Sequence, residues 1–169
     1  MSNSSIQIRP LEQDDSRVFL SKQRQSHQFL KPWVQTPSSN SEFKDYIKEM
    51  TSESNRAYVA INTATNEMIG VVELRDIYLF DFKNSYIIYY GFIGNLRQGF
   101  MKLAVNAVIK LAFKKLKLHR LEANIQPNNT ASIALAKACG FKKEGYSPKF
   151  IKKNGHWKDH ERWALLNEK

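Results

Sequence analysis

The 169-residue chain holds a single cysteine, Cys139. That excludes an internal disulfide framework and any cysteine-based zinc site. Long apolar runs are also missing: the longest, Tyr86 to Gly94, falls far short of the ~20 residues of a membrane helix. Met1 to Pro10 is polar and has no apolar h-region, so the reading expects no secretory signal and a soluble, reduced, cytoplasmic protein away from membranes. Glycine is sparse at seven residues and proline at five; no Gly/Ser linker, low-complexity tract or internal repeat divides the chain. A single domain over 1–169 is expected. Acidic residues are few, 16 Asp+Glu against 26 Lys+Arg, which leaves a formal +10. Such a field attracts anionic partners, from nucleic acid to phosphorylated cofactors, and repels polycations. What is present is ordinary: 42% hydrophobic, 12% aromatic and 25% charged residues suit a globular chain long enough to fold without a staple.

Periodicity gives an alternating strand and helix order. Ile6-Gln-Ile8 reads as a short strand ended by Pro10, and Asp14-Asp15 opens a helix with acid at its positive end. Phe29-Leu-Lys-Pro-Trp33 is a proline-broken junction, and Ser39-Asn-Ser41 before Glu42 caps a second helix. Residues 57–61, 69–74 and 86–93 are strand-like and predict an antiparallel meander; the third is apolar on both faces, hence central. From Gly99 to Lys117, the polar residues Lys102, Asn106, Lys110, Lys114 and Lys117 draw one stripe on a helix otherwise buried on most sides. Arg120 to Ile125 is a strand stopped by Pro127, Asn129 to Cys139 a helix closed by Gly140, and Asn154-Gly155 joins a closing hairpin. Strand, helix, strand, helix and hairpin make an α/β layout with a crossover-linked pair in a mixed sheet.

The run from Leu118 through Pro127-Asn-Asn129-Thr-Ala-Ser132, with Cys139-Gly140-Phe141-Lys-Lys-Glu144-Gly145-Tyr146, resembles the second half of a GNAT-superfamily acetyltransferase. More narrowly, it is similar to the ribosomal-protein-alanine N-acetyltransferases, as are Phe29-Leu30-Lys-Pro32-Trp33 and Asn154-Gly155-His-Trp157-Lys-Asp159-His160. The resemblance implies a mostly antiparallel sheet flanked by helices, with a splayed parallel pair, Tyr86–Ile93 and Arg120–Ile125, at an acetyl-CoA site. It places the cofactor diphosphate on free amides at Arg97, Gln98, Gly99, Phe100 and Met101, where a helix start is an anion site. The family pattern Gln/Arg-x-x-Gly-x-Gly/Ala is altered: aligned on Gly99, Leu96 stands at the first position and Met101 at the last small one. The loop before Gly99 is about two residues shorter than usual, and this leaves open whether acetyl-CoA is held tightly.

The resemblance implies direct attack of an amine on the thioester, with an oxyanion donor near the Phe92 or Ile93 amide. The tyrosine many relatives use as thiolate acid falls on Ala136, so the implied acid is Ser132. Asn129 reads as a helix cap, as a contact for the pantetheine arm, or both. No general base is evident, since Ile151 stands where some relatives carry glutamate; Glu73 and Glu122 are candidates. An α-amino group, with a pKa of about 7.7–8.0, sheds its own proton more readily than a lysine. Trp33, Glu73 and Tyr146 are the expected acceptor contacts. His27, His119, His156 and His160 lack metal-ligand spacing, so acetyl-CoA is expected as co-substrate and no metal. Basic runs at Lys114–Arg120, Lys142–Lys143 and Lys149–Lys153 suit a ribosome or RNA contact. The leading expectation is acetylation of a protein N-terminus. The alternatives are a small amine, such as an aminoglycoside or polyamine, or an inactive RNA-binding relative; a monomer and a dimer are both open.

Overall fold

A computed structural model describes residues 5–168. Its strands are β1 (Ile6–Pro10), β2 (Arg56–Asn62), β3 (Met68–Tyr78), β4 (Asn84–Gly91), β5 (Arg120–Ile125), β6 (Lys142–Lys153) and β7 (His156–Leu166). The helices are α1 (Ser16–Leu30), α2 (Asn40–Met50), α3 (Phe100–Lys114) and α4 (Thr130–Ala138). All described strands join one sheet in the order β1-β2-β3-β4-β5-β7-β6. Every neighbouring pair is antiparallel except β4 and β5, which α3 links by crossing over. The expected meander and mixed α/β sheet are therefore present.

Period-two alternation sends the sheet's side chains into two cores. Tyr58, Val72, Leu74 and Ile87 pack with α3 and α4, around Val105, Val108 and Ala136. Val59, Val71, Tyr90 and Phe92 turn the other way and pack with α1 and α2, against Phe19, Phe43 and Met50. Phe19 meets Phe92 edge-on at 5.5 Å. Burying each such side chain contributes about 1.5–3 kcal/mol, so β4 is held from both faces.

Local chemistry sets the ends. Ser39 Oγ accepts the Glu42 N–H while the Glu42 carboxylate accepts the Ser38 N–H, fixing the start of α2. Pro10 is the last residue of an edge strand, where its missing donor costs no ladder bond. A 3₁₀ turn over Gln13–Asp15 precedes α1, so the helix starts just after the acidic pair. Asn154 (φ 48°) and Gly155 (φ 80°) form the left-handed pair that a two-residue hairpin turn requires.

Two sequence expectations need correction. α3 ends at Lys114, because Lys117 turns left-handed (φ 58°) and the Leu118 N–H reaches back to the Ala112 carbonyl. Leu103, read as part of the buried sides of this helix, is exposed at 41%; it stands beside Lys102 on the solvent stripe.

Candidate active site

β4 and β5 pair only over Asn84–Tyr86 and Arg120–Glu122, although both strands continue beyond. The two therefore part company halfway along. In the antiparallel ladder with β3, Ile88, Tyr90 and Phe92 spend their backbone groups on β3, as the Phe92 N–H to Ile69 carbonyl bond of 2.8 Å shows. Alternation then points the backbone groups of Ile87, Tyr89 and Gly91 at the gap. This corrects the sequence expectation for the oxyanion donor. Phe92 gives its amide to Ile69, and Ile93 gives its amide to the buried Ser26 Oγ at 3.0 Å. Of the three residues turned to the gap, Gly91 lies farthest from the stretch where β4 and β5 pair, and its N–H faces the opening.

The loop into α3 also faces the gap. Its backbone reverses through Gly94 (φ 100°), Arg97 (φ 60°) and Gly99 (φ 81°), and Gln98 Nε2 donates to the Gly94 carbonyl. Gly99 is the N-cap of α3, and the first helical bond runs from the Leu103 N–H to its carbonyl. Helix geometry thus leaves the N–H groups of Phe100, Met101 and Lys102 without acceptors in the helix, at its positive end. Nothing lies within 4 Å of where a Gly99 β-carbon would stand. The amides, the open approach, and the exposed Arg97 and Lys102 fit an anionic diphosphate. Phe100 itself is buried and contributes backbone only.

The departures from the family pattern have a packing reason. A β-carbon on Gly91 would lie 3.1 Å from Met101 Cγ and 3.3 Å from Leu96 Cδ2; one on Gly70 would come within 2.7 Å of Met101 Sδ. Leu96 and Met101 are larger than the pattern expects, and two strand glycines make room for them. The loop is closed by apolar contact with β4 instead of by a polar side chain at position 96.

Ser132 sits in the first turn of α4. Its N–H donates to Asn129 Oδ1 at 3.2 Å, so Asn129 is the helix cap and its carbonyl oxygen is committed. Asn129 Nδ2 has no partner among the described residues and is the group left to meet a ligand. Ser132 Oγ donates to the Tyr89 hydroxyl at 3.3 Å, and Tyr89 donates to the Ser132 carbonyl at 3.0 Å. Burial pushes the Tyr89 phenol up to about 12, so near neutrality it is a neutral donor. Sequence reasoning missed Tyr89. Its signal was period two: on β4 it shares the Ile87 face, toward α4.

On the opposite face, a groove of about 550 Å³ runs between the end of α1, the α1–α2 connection and α2, with His27, Val34, Glu42, Asp45, Tyr46 and Glu49 on its walls. Two side chains gather its parts. Asn154 Nδ2, from the β6–β7 turn, donates to the Lys31 carbonyl at 3.2 Å, and Gln126 Nε2, just past β5, donates to the Pro32 carbonyl at 3.1 Å. Half-buried Trp33 follows in the same connection. Tyr146 is half exposed on β6 and donates to Asp159, which holds its own hydroxyl proton more firmly and the Asp159 carboxyl below the usual range.

Glu73 lies beneath this groove, 2% exposed. Tyr46 donates to its Oε1 at 2.5 Å and Arg75 Nε to its Oε2 at 2.6 Å, while Arg75 Nη1 reaches Glu49 at 2.6 Å. The Tyr90 hydroxyl is 3.4 Å from that of Tyr46. Burial, then the charge of Glu73, raises Tyr90; burial leads for Tyr46 as well. Burial, then Arg75, lowers Lys153. Glu122 is also engaged, by Arg120 at 2.7 Å and Asn84 at 3.2 Å, at the paired end of β4 and β5. Arg120 further binds Glu144, and Lys143 binds Glu161 at 2.5 Å, so part of the basic run is neutralised locally.

This geometry has close counterparts. Residues 5–142 match the family model for the acetyltransferase (GNAT) domain. The chain is 28% identical over 175 residues to a probable N-acetyltransferase, YjcK, of Bacillus subtilis, covering 99% of this chain and 97% of that protein. It is 30% identical over 151 residues to the [ribosomal protein uS5]-alanine N-acetyltransferase of Escherichia coli, covering 83% and 77%. It is 27% identical over 170 residues to the spermidine N(1)-acetyltransferase of Vibrio cholerae, covering 99% and 96%. Among solved structures, the ribosomal-protein-S5-alanine acetyltransferase from Vibrio fischeri superposes with a TM-score of 0.88 at 24% identity, over 99% and 96% of the two chains. RimJ of Mycobacterium smegmatis, solved with CoA-disulfide, gives 0.89 at 20% identity over 96% and 82%. The family model over residues 5–142 and these relatives decide the matter: the chain belongs to the GNAT acetyltransferases and is an acetyl-CoA-dependent N-acetyltransferase.

Proposed function

We propose that the acceptor is the α-amino group of a protein N-terminus, acetylated by direct attack in a ternary complex in the cytoplasm. The observation that carries this reading is that the carboxylate buried beneath the groove, Glu73, is not free to act as base. Both oxygens of Glu73 are taken, by Tyr46 and Arg75, and Glu122 is paired through Oε1 with Arg120 and Asn84 at the closed end of β4 and β5. An acceptor that deprotonates near neutrality suits such a site, and an α-amino group does so at about pH 7.7–8.0. The likeness to the uS5-alanine enzyme, named for a protein acceptor, agrees.

Acetyl-CoA supplies the activated acetyl thioester. Arg97, Lys102 and the amides from Gln98 to Met101 hold its diphosphate, and Asn129 Nδ2 contacts the arm leading into the gap. Gly91 N–H faces the place where negative charge develops on the carbonyl oxygen, a stabilisation worth several kcal/mol when preorganised (roughly 2.7–4 per donor). The amine attacks the thioester carbon, so that the C–N bond forms as the carbonyl π electrons move onto oxygen; the oxyanion then re-forms C=O and expels the thiolate, breaking the C–S bond. The ammonium proton leaves to water; the Ser132 hydroxyl turns its one proton from the Tyr89 oxygen to the departing sulfur and regains a proton from water. Trp33, in the α1–α2 connection, and Tyr146, on β6, are the further acceptor contacts of this proposal, although neither is among the residues that wall the groove.

A second reading has its own observation. Glu42, Asp45 and Glu49 give the groove an acidic wall in a molecule of net +10, and Asp45 makes no ion pair among the described residues. This favours a small polycation of the spermidine type. Rates with an alanine-initiated peptide and with spermidine, each against pH, separate the two. The N-terminal reading expects the peptide to win in kcat/KM by at least about tenfold, with a rise in rate through the α-amine pKa. Preference for spermidine would replace it.

A further inference from the structure

The end of the sheet opposite the open gap carries two features that acetyl transfer does not use. The β3–β4 turn exposes Tyr78, Leu79, Phe80 and Phe82, with the two phenylalanines at 75% and 71%. The rings are organised: Tyr78 meets Phe80 at 5.6 Å and Phe82 at 5.9 Å, both edge-on. Two left-handed residues without the freedom of glycine, Asp76 (φ 51°) and Lys83 (φ 42°), bracket the turn, a conformation kept only where the surroundings enforce it. Asp76 is held by Asn55 Oδ1, which accepts its N–H at 3.0 Å, and Lys83 by the second feature, the basic turn before β5. The Lys83 carbonyl accepts the N–H groups of His119 (2.7 Å) and Arg120 (3.1 Å), and the His119 carbonyl accepts the Asn167 N–H at 2.8 Å.

Aromatic turn, basic turn and Asn167 thus occupy three adjacent strand ends, each about 5 Å from the next. Beyond them, Lys110, Phe113, Lys114, Lys117 and Asn167 line an open concavity of about 580 Å³. Lys83, Lys110, Lys114, Lys115 and Lys117 form no ion pair among the described residues. They outnumber Asp76 and Asp81 of the neighbouring turn.

Charge and shape narrow the occupant. A second copy meeting this face would bring lysines against lysines. A bilayer taking up Phe80 and Phe82 would have to take Asp81 between them. A single strand of nucleic acid meets neither objection: its phosphates follow the lysines, and its bases stack on ring faces whatever their sequence. Asn167 Oδ1, unpartnered among the described residues, offers an acceptor to a ribose 2′-hydroxyl, the group that separates RNA from DNA. We propose that this pole binds single-stranded RNA.

The test is fluorescence anisotropy of the full chain with labelled oligouridine of roughly twelve nucleotides, a length typical of such sites, at several salt concentrations. Binding is expected to weaken at least about tenfold at fixed salt in Phe80→Ala/Phe82→Ala. In Lys114→Gln/Lys117→Gln, the slope of log affinity against log salt is expected to fall by about 1.4. Acetyl-CoA turnover unchanged in both pairs establishes that they fold. No binding, or binding indifferent to the aromatic pair, overturns the proposal. Equal affinity for the matching deoxyoligonucleotide overturns its RNA character. Binding to phosphatidylserine vesicles in place of the oligonucleotide makes the pole a membrane contact.

Discussion

Ser132 is held at three atoms: its N–H by Asn129, its hydroxyl by Tyr89, and its carbonyl by the same phenol. The oxygen is thereby positioned, while its single proton, given to Tyr89 in the free protein, must swing to the departing sulfur for Ser132 to act as acid. Ser132→Ala is expected to lower kcat by about 10²-fold, the low end for a general acid, with KM for acetyl-CoA unchanged. Steady-state kinetics check this, and an unchanged kcat would remove Ser132 from the chemistry. Tyr89→Phe keeps the ring and removes the partner. A fall in kcat of several-fold is expected, smaller than for the serine variant, and none when Tyr89→Phe is added to Ser132→Ala. Additive losses would mean that Tyr89 acts independently of the serine. Glu73 gives the opposite kind of case. Both its oxygens are taken by groups that stay with the protein, so its role is to hold α2 against β3. Glu73→Gln breaks a buried ion pair and is expected to cost of order 3 kcal/mol in stability, while saturating kcat changes less than about threefold. A collapse of kcat with stability intact would instead make Glu73 the base.

Between elements, what matters is the distance from β4 to α3. Gly70 and Gly91 let Met101 drop onto the sheet, and this sets the height at which the α3 amides stand above the gap. A β-carbon on Gly70 would meet the Tyr90 carbonyl at 2.3 Å as well as Met101 Sδ. Backbone cannot yield as a side chain does, so Gly70→Ala is expected to destabilise by at least about 1–3 kcal/mol. Gly91→Ala touches only the side chains of Met101 and Leu96, and adding Met101→Ala should restore most of its loss; thermal melts of the three variants decide. The sequence foretold the helices and strands wherever periodicity and caps agreed: Ser39 with Glu42, Asn129 with Gly140, and Asn154 with Gly155 all sit where those residue types belong. Its errors come from tertiary contacts. Leu103 looks like core on composition but faces water beside Lys102, and the Phe92 amide looks free until the β3 register assigns it to Ile69. Tyr89 meets Ser132 across 43 residues of chain, and the Glu73–Tyr46 bond spans 27; no local pattern encodes either. The family resemblance pointed to the parted strands and the start of α3; Glu42, Asp45 and Glu49 recur at i, i+3 and i+7 on α2, but that they wall a groove emerges only when the α1–α2 connection and the hairpin turn fold beside them.

At the scale of the molecule, the +10 charge is unevenly laid out: lysines crowd the pole below α3, while α2 lines its groove with acid. The same fold lowers the pKa of His160 and of several carboxylates, of which Asp15 is the buried one, and all make stability depend on pH in one direction. His160 is buried on β7, with Nδ1 at 3.0 Å from the Lys158 carbonyl and the ring 6.3 Å from Phe150. Burial, then the charge of Lys153, holds its pKa below the ordinary value, against the Lys158 carbonyl and the weaker pull of Asp159. Burial tends to raise the Asp15 carboxyl, but the Arg9 fork at 2.7 and 2.8 Å and the Glu12 N–H outweigh it and leave its pKa lowered. For both groups the unfolded chain binds protons more readily, so each contributes stability above its unfolded pKa and loses it as pH falls through the folded value. The His160 part begins to fade below about pH 6.5 and the Asp15 part below about pH 3.9. The melting temperature should therefore decline in two stages on acidification. His160→Asn, though less stable at neutral pH, is expected to flatten the first stage and leave the second; Asp15→Asn is expected to leave the first and lessen the second, to which Glu42, Glu144, Asp159 and Glu161 also contribute. Calorimetric melts between pH 8 and pH 3 check both. A first stage that survives in His160→Asn would transfer the effect to another group, and His160 would then be a buried spacer under Phe150 without a part in acid sensitivity.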